Sequence, residues 1–156
     1  MNGGGAAGYL RRVRLLGVPT ELMMGNLRHL DDLVHELHIV QAGVQSGQAE
    51  LGPRLAALMG EILEAYSPAR DAVRDQAEAA QGQGRPVVDI EVDLPPEAAT
   101  AVPRLVDLLE QADAMCREQQ LLTMAAPPEV AEMRRWTADQ VVAQVARGEA
   151  PAPYPS

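Results

Sequence analysis

The 156-residue sequence contains no lysine and no phenylalanine, and it has one tryptophan and one cysteine. A single cysteine, Cys116, excludes a disulfide within the chain. No apolar run approaches the roughly 20 residues that a membrane-spanning helix needs, and residues 1–8 lack the basic start and apolar centre of a signal peptide. These absences predict a cytoplasmic protein that has no membrane partner and needs neither metal nor disulfide to fold.

All 13 basic residues are arginine, and they are outnumbered by 22 acidic residues. The net charge of −9 is uneven, because residues 86–156 hold 12 acids and 5 arginines whereas residues 1–85 hold 10 acids and 8 arginines. An acidic surface repels phosphate groups, which argues against nucleic acid as a partner. A protein partner with a basic surface is the better prediction.

Apolar spacing in the first half predicts a strand followed by a helical hairpin. Residues 10–18 alternate in polarity as a strand does, and Pro19-Thr20 opens a helix of about 25 residues. Two apolar seams then follow with +4/+3 steps, which predicts two helices packed antiparallel over residues 20–82. We expect Gly43, Ser46 and Gly47 to form the turn and Ser67-Pro68 to kink the second helix. The first seam is Met23, Leu27, Leu30, Val34, Leu37 and Val44, and the second is Leu51, Leu55, Leu58, Ile62, Ala65 and Ala69.

The second half predicts a strand, a helix, a strand and a helix over residues 87–148. Residues 88–94 alternate between apolar and acidic, and Pro-Pro-Glu opens a helix after this strand and again after a short strand at 121–125. A helical crossover predicts that these two strands are parallel. We expect Pro103 to kink or delay the third helix and Thr137 to split the last one.

The predicted fold class is α+β and helix-dominated, with a long antiparallel helical hairpin and two further helices packed on a small three-stranded sheet. We predict a single domain over residues 10–148. Residues 1–9 are expected to be flexible, and the proline-rich tail 149–156 to be extended and mobile.

Three carboxylates, Asp89, Glu91 and Asp93, share one face of the acidic strand. A calcium or magnesium site would need further oxygen ligands that no nearby loop supplies, so a solvated face is the simpler interpretation. We predict more specifically that Arg12 and Arg14 of the first strand pair with these acids across the sheet.

The best candidate functional stripe is formed by Arg28, Asp31, His35 and His38, which flank the apolar seam of the first helix. Asp31, His35 and His38 are weak candidates for a metal site, since their spacing is not that of a zinc-protease motif. The alternatives are a pH-sensitive Asp31–His35 pair and an ordinary solvated helix face.

Arg134, Arg135 and Trp136 form the second candidate, an anchor for a partner protein. The alternative is that Trp136 packs inward while the two arginines stay in water. Cys116 lies on an apolar seam and is interpreted as a buried small side chain. No nucleophile elbow or phosphate-binding loop is present, so neither catalysis nor a cofactor is predicted.

Three segments carry a resemblance to a known kind of protein: VRLLGVPTELMMGNLRHLDDLVHEL, the acidic strand running into DLPPEA, and LLTMAAPPEVAEMRRW. The sequence resembles an uncharacterised actinobacterial signalling module associated with anti-sigma-factor-like ATP-binding proteins and SpoIIE-type phosphatases. The resemblance implies a role in partner switching without catalysis, and a kinase-like or phosphatase partner.

The functional prediction is therefore a non-catalytic regulatory module that binds other proteins in bacterial signalling and forms a homodimer through the hairpin. A sensor of a small molecule or metal is the first alternative, using the Asp31, His35 and His38 flank or a pocket under the sheet. An unrecognised enzyme is the second.

Overall fold

The computed structural model describes residues 9–42, 51–118 and 124–155. Over these residues it is an α+β protein with five α-helices and a two-stranded antiparallel sheet. None of the described helices is long and apolar enough to cross a membrane. In chain order the elements are β1 (Arg11–Pro19), α1 (Thr20–Ala42), α2 (Leu51–Ala65), α3 (Ser67–Gly82), β2 (Val87–Leu94), α4 (Ala98–Arg117) and α5 (Pro128–Val141), which continues as a π-helical turn (Val142–Ala146).

The two strands pair across a long stretch of chain, with Arg12 opposite Asp93 and Arg14 opposite Glu91. Alternate residues of both strands are buried, as the period-2 pattern predicts. A bulge interrupts the register between Leu15 and Val18. Gly17 lies in it with φ of +67°, a conformation that favours glycine, and its N–H donates to Asp89 Oδ1 at 2.8 Å.

Glutamine side chains occupy both outer edges of the sheet at the level of the Arg14–Glu91 pair. Gln144 of the π-helical turn accepts from the backbone N–H of Arg14 at 2.9 Å and donates to its carbonyl at 2.8 Å. On the other side Gln76 of α3 accepts from the N–H of Glu91 at 2.9 Å and donates to its carbonyl at 2.7 Å. Each glutamine therefore satisfies the backbone groups that a further strand would need.

The prediction of a three-stranded sheet is wrong for the described part of the chain, which has two strands. Residues 121–123 of the predicted third strand lie outside the described residues, and Met124 and Ala125 have no regular structure. At Arg14 and Glu91 the glutamine contacts occupy the backbone groups that a further strand would need, and further along β1 the carbonyl of Leu16 bonds to Tyr154 of the tail.

The predicted helices are largely confirmed. The kink at Ser67-Pro68 is a full break at Tyr66, where α2 ends and α3 begins, and α3 ends at Gly82. Pro103 lies inside α4 without ending it. The expected split at Thr137 is wrong, because its hydroxyl donates to the carbonyl of Met133 within a continuous helix. The turn predicted at Gly43, Ser46 and Gly47 lies outside the described residues.

Buried side chains form two clusters. One joins the inner face of the sheet to α1, α3, α5 and the π-helical turn, and includes Val13, Leu27, Ile90 and Met133. The other joins α1, α2 and α4. The apolar seam of α1 contributes to both, so Met23, Leu27 and Leu30 are buried within the chain itself.

The proline-rich tail is extended, and it lies against the body of the protein instead of apart from it. The N–H of Tyr154 donates to the carbonyl of Leu16 at 2.9 Å, and the N–H of Ala152 donates to Gln140 Oε1 at 3.1 Å. The Tyr154 ring meets Trp136 edge to face, with centroids 4.9 Å apart. Aromatic contact and backbone hydrogen bonds offset the entropy of ordering these residues.

Candidate functional site: an apolar cavity with a buried arginine

A cavity of about 170 Å³ lies between the sheet, the α2–α3 break, α1, α4 and α5. Its wall is mostly aliphatic, with side chains such as Val13, Leu27, Leu94 and Leu109 from both buried clusters. Partly exposed residues mark the side that faces solvent: Ile62, Tyr66, Val102 and Leu105. The cavity exceeds the roughly 150 Å³ of an engineered apolar cavity that holds benzene.

The polar part of the wall includes Asn26, Arg70, Arg134 and Thr137. Arg134 is only 5% exposed, and its Nε donates to Asn26 Oδ1 at 2.6 Å. Burial lowers the pKa of the guanidinium, and the charge of Asp113 opposes that effect. An arginine keeps its charge even so, which places a fixed cation beside an apolar space.

The two ring nitrogens of His29 make different hydrogen bonds. Its Nδ1 lies 2.9 Å from Arg134 Nη2, and its Nε2 lies 2.8 Å from the carbonyl oxygen of Met124. Arginine only donates and a carbonyl only accepts, so Nδ1 must accept and Nε2 must carry the proton. The ring links α1 to α5 and to the segment after α4.

Asp113 supplies the negative charge of the network. It is 4% exposed, and its Oδ1 accepts from the N–H of Ala126 at 3.1 Å. Its Oδ2 lies 3.9 Å from Arg134 Nη1, near enough for attraction between charges but too far for a hydrogen bond. Nη1 is buried, and none of the described residues accepts a hydrogen bond from it.

The stripe predicted from the sequence lies elsewhere, on the outward side of α1. Arg28, Asp31, His35 and His38 are all exposed. Asp31 pairs with Arg74 of α3 at 2.9 Å and not with His35. Among the described residues no group of three histidine, cysteine or acidic side chains is placed to hold a metal ion.

The three residues of the second predicted cluster, Arg134, Arg135 and Trp136, lie in different environments. Arg134 is buried in the cavity wall and not in water, whereas Arg135 is exposed and pairs with Glu110 of α4. Trp136 is partly buried against the sheet cluster and Tyr154, which agrees with the inward-packing alternative. Cys116 is buried as predicted, and burial raises its pKa to about 11.

Asn26, His29 and Asp113 are not among the residues predicted from the sequence. One signal was available for Asp113, which lies four residues after Leu109 and three before Cys116, both on the buried side of α4. This spacing places the Asp113 carboxylate on the buried side of the helix, and a buried carboxylate needs a partner that is buried with it. The partner itself lies about 20 residues further along the chain, so no local pattern identifies it.

No known protein family model matches the chain, and neither a curated protein nor a solved structure is detectably similar to it.

Proposed function

We propose that the protein is a non-catalytic binding module for a small apolar molecule, and that this molecule occupies the central cavity. The observation that carries the proposal is a space of about 170 Å³ at the junction of two buried clusters, where close packing is the norm. Ligand sites are commonly concave and apolar with a few convergent polar groups. Asn26 and Arg134 are such groups here.

The break between α2 and α3 supports this use of the cavity. Tyr66 stands at the break and lines the cavity, and Arg70 Nη1 donates to the carbonyl of Leu63 at 2.9 Å across it. A ligand that packs between Tyr66 and α4 would contact three helices and the sheet together. Binding would thus be transmitted to several elements, as a regulatory module requires.

The test is a thermal-shift titration with one-ring compounds, beginning with benzene and acetophenone. A ligand at 100 times its dissociation constant stabilises the folded protein by about 2.7 kcal/mol. The methyl NMR signal of Met23, which lines the cavity, should shift on binding, whereas that of the exposed Met124 should not.

A matched pair of variants ties binding to the cavity. Ala69→Phe adds a ring to the cavity wall and should abolish the ligand-induced rise in melting temperature. Ala65→Phe makes the same change at an exposed position on α2 and should keep it. An equal response in both variants, or none in the unmodified protein, would contradict the proposal.

The sequence-based prediction of a cytoplasmic signalling module that binds other proteins is compatible with this proposal and remains a prediction. The exposed side chains of Arg28, His35 and His38 lie on one helix and offer a surface for a partner. The predicted kinase-like or phosphatase partner is tested by co-purification. A dimer would have to use a surface other than the α1 seam, since Met23, Leu27 and Leu30 are buried within the chain.

A further inference from the structure

The charge of the cavity wall is opposite in sign to that of the chain. Acids outnumber arginines 22 to 13 in the sequence, yet the described residues that line the cavity include two arginines, Arg70 and Arg134, and no acid. Arg134 is balanced from behind the wall, because the equally buried Asp113 lies 3.9 Å from it. Arg70 has no such counter-ion within the described part of the chain, so its charge is the one that a ligand meets.

The guanidinium of Arg70 lies at the mouth of the cavity. Its Nη1 donates to the carbonyl of Leu63 at 2.9 Å, which folds the side chain back over the α2–α3 break to another residue of the cavity wall. Arg70 is partly exposed, as are Ile62 and Tyr66 on the side of the wall that faces solvent. A ligand in the cavity can therefore extend to this guanidinium without entering the buried network around Arg134.

The hydrogen bonds of Arg70 leave one edge of its guanidinium open. Nη1 is occupied by Leu63, and none of the described residues accepts a hydrogen bond from Nε or Nη2. A carboxylate binds such an edge with both of its oxygens, in two parallel hydrogen bonds. Its charge and its planar shape both match what Arg70 offers.

We infer, on the basis of the proposed function, that the ligand is a small monocarboxylic acid whose carboxylate binds Arg70 at the mouth and whose apolar part fills the cavity. The apolar part is about the size of one ring, because the space is about 170 Å³ and its wall is mainly aliphatic. Such a ligand keeps its charge paired at the solvent side and removes its apolar surface from water.

Two acids lie near the mouth, and neither takes the place of the ligand. Glu64 lines a neighbouring depression together with Arg70, and burial with the charge of Glu97 raises the pKa of Tyr66. Both glutamates are exposed, and neither lines the cavity. Water and salt screen exposed charges, so these acids reduce the attraction of Arg70 for a carboxylate without cancelling it.

Three probes of nearly the same shape test the inference by calorimetry on the full chain at neutral pH. Phenylacetate carries the carboxylate, phenylacetamide is its neutral counterpart, and phenethylamine carries a positive charge. Phenylacetate should bind about tenfold or more tightly than phenylacetamide, because hydrogen bonds between two charged groups are the stronger ones. Phenethylamine should bind most weakly, because its ammonium group would approach Arg70.

A matched pair of variants locates the carboxylate. Arg70→Gln removes the charge but keeps a hydrogen-bond donor, and it should bring the affinities for phenylacetate and phenylacetamide close together. Arg74→Gln makes the same change one turn further along α3, at a partly exposed arginine that pairs with Asp31 and does not line the cavity. This control should keep the preference for phenylacetate.

Failure of the inference and failure of the proposed function give different results. Equal affinity for phenylacetate and phenylacetamide, or a preference that survives Arg70→Gln, would overturn the carboxylate inference and leave an apolar binding site in place. If benzene stabilises the protein and none of the three probes binds, the inference again fails alone. If benzene has no effect either, both proposals fall.

Arg70→Lys serves if Arg70→Gln does not fold. It keeps the charge but lacks the fork of two parallel donors, so it should retain only part of the preference for phenylacetate. A preference as large as that of the unmodified protein would contradict the paired contact with Arg70.

Discussion

Arg134 and Arg135 are neighbours in sequence, yet their environments are opposite. The Arg134 side chain is 5% exposed, and that of Arg135 is 59% exposed. The first helps hold α1, α4 and α5 together through Asn26, His29 and Asp113, whereas the second makes one ion pair on the surface. Exposed ion pairs contribute little to stability, but breaking a buried charge network leaves a charge without compensation.

Replacing each arginine by alanine should therefore give very different results. Arg134→Ala leaves the Asp113 carboxylate buried without a counter-ion and should lower the free energy of unfolding by about 3–5 kcal/mol. Arg135→Ala should lower it far less, because the ion pair of Arg135 with Glu110 is exposed to water. Urea unfolding of the two variants measures the difference, and similar losses would refute the buried network.

The charged residues of the sheet could be predicted from the sequence, and those of the cavity could not. Period-2 alternation puts Arg12 and Arg14 on one face of β1 and the acids on one face of β2, so pairing needs only that the strands be adjacent. The pairing is confirmed, since Arg12 contacts Asp93 and Glu91 at 2.6 and 2.9 Å. The burial of Arg134 depends on how three helices meet, which helix periodicity does not encode.

Within the elements, the outer face of the sheet is an ionic ladder. Arg12 bridges Asp93 and Glu91, and Arg14 reaches Glu91 at 3.0 Å. The hydrogen bond from Arg12 and its charge lower the pKa of Asp93. Asp89 takes no part in the ladder through an arginine, because its Oδ1 accepts from the N–H of Gly17 at the bulge.

Replacing both ladder arginines by glutamate should lower the melting temperature, because attraction across the strands becomes repulsion. Arg85→Glu with Arg104→Glu makes the same change of charge at exposed positions outside the sheet and should have a smaller effect. If the ladder variant melted at the same temperature as this control, the cross-strand pairs would contribute nothing.

Acidification should reduce the difference between the unmodified protein and the ladder variant. The pKa of Asp93 is lower in the folded state than in the unfolded chain, so its contribution is complete above the ordinary carboxyl pKa. It is lost as the pH falls through the lowered pKa. Melting temperatures of both proteins, measured from neutral to strongly acidic pH, should therefore converge.

Element boundaries followed the sequence where local chemistry decides them. Pro68 lies where α2 gives way to α3, at the position of the predicted kink, and α3 ends at Gly82, the end predicted for the hairpin. The π-helical turn at Val142–Ala146 was not predictable, because it coincides with the placement of Gln144 on the edge of β1, a contact with a residue 130 positions away. The edge contacts of Gln76 and Gln144 likewise had no signal in local periodicity.

At the scale of the whole molecule, the two buried clusters of the described residues meet at the cavity, and each cluster contains a residue that can report on its unfolding. Trp136, the only tryptophan, packs against the sheet cluster. Cys116 belongs to the cluster between α1, α2 and α4. Because burial and neighbouring acids raise its pKa to about 11, only about 0.1% of the thiol is ionised at pH 8. It is also shielded, so it should react only when its cluster opens.

We expect the two probes to report one cooperative transition. Tryptophan fluorescence and thiol labelling across a urea series should give the same midpoint, since both clusters share α1 and the cavity wall. Labelling of the fully unfolded chain provides the reference rate. Two separate midpoints would show that the clusters unfold independently, and that the cavity lies between two units and not within one.

During synthesis, β1 can pair only after β2 has been made. Arg12 and Asp93 are 81 positions apart, so at 5–20 residues per second β1 waits roughly 4–16 s for its partner to be made. An unpaired strand can associate with other chains, and the positive charges of the arginines at 11, 12 and 14 oppose that association. The cavity wall is completed later still, by Arg134, Thr137 and Val141, so the cavity cannot form until residue 141 has been made.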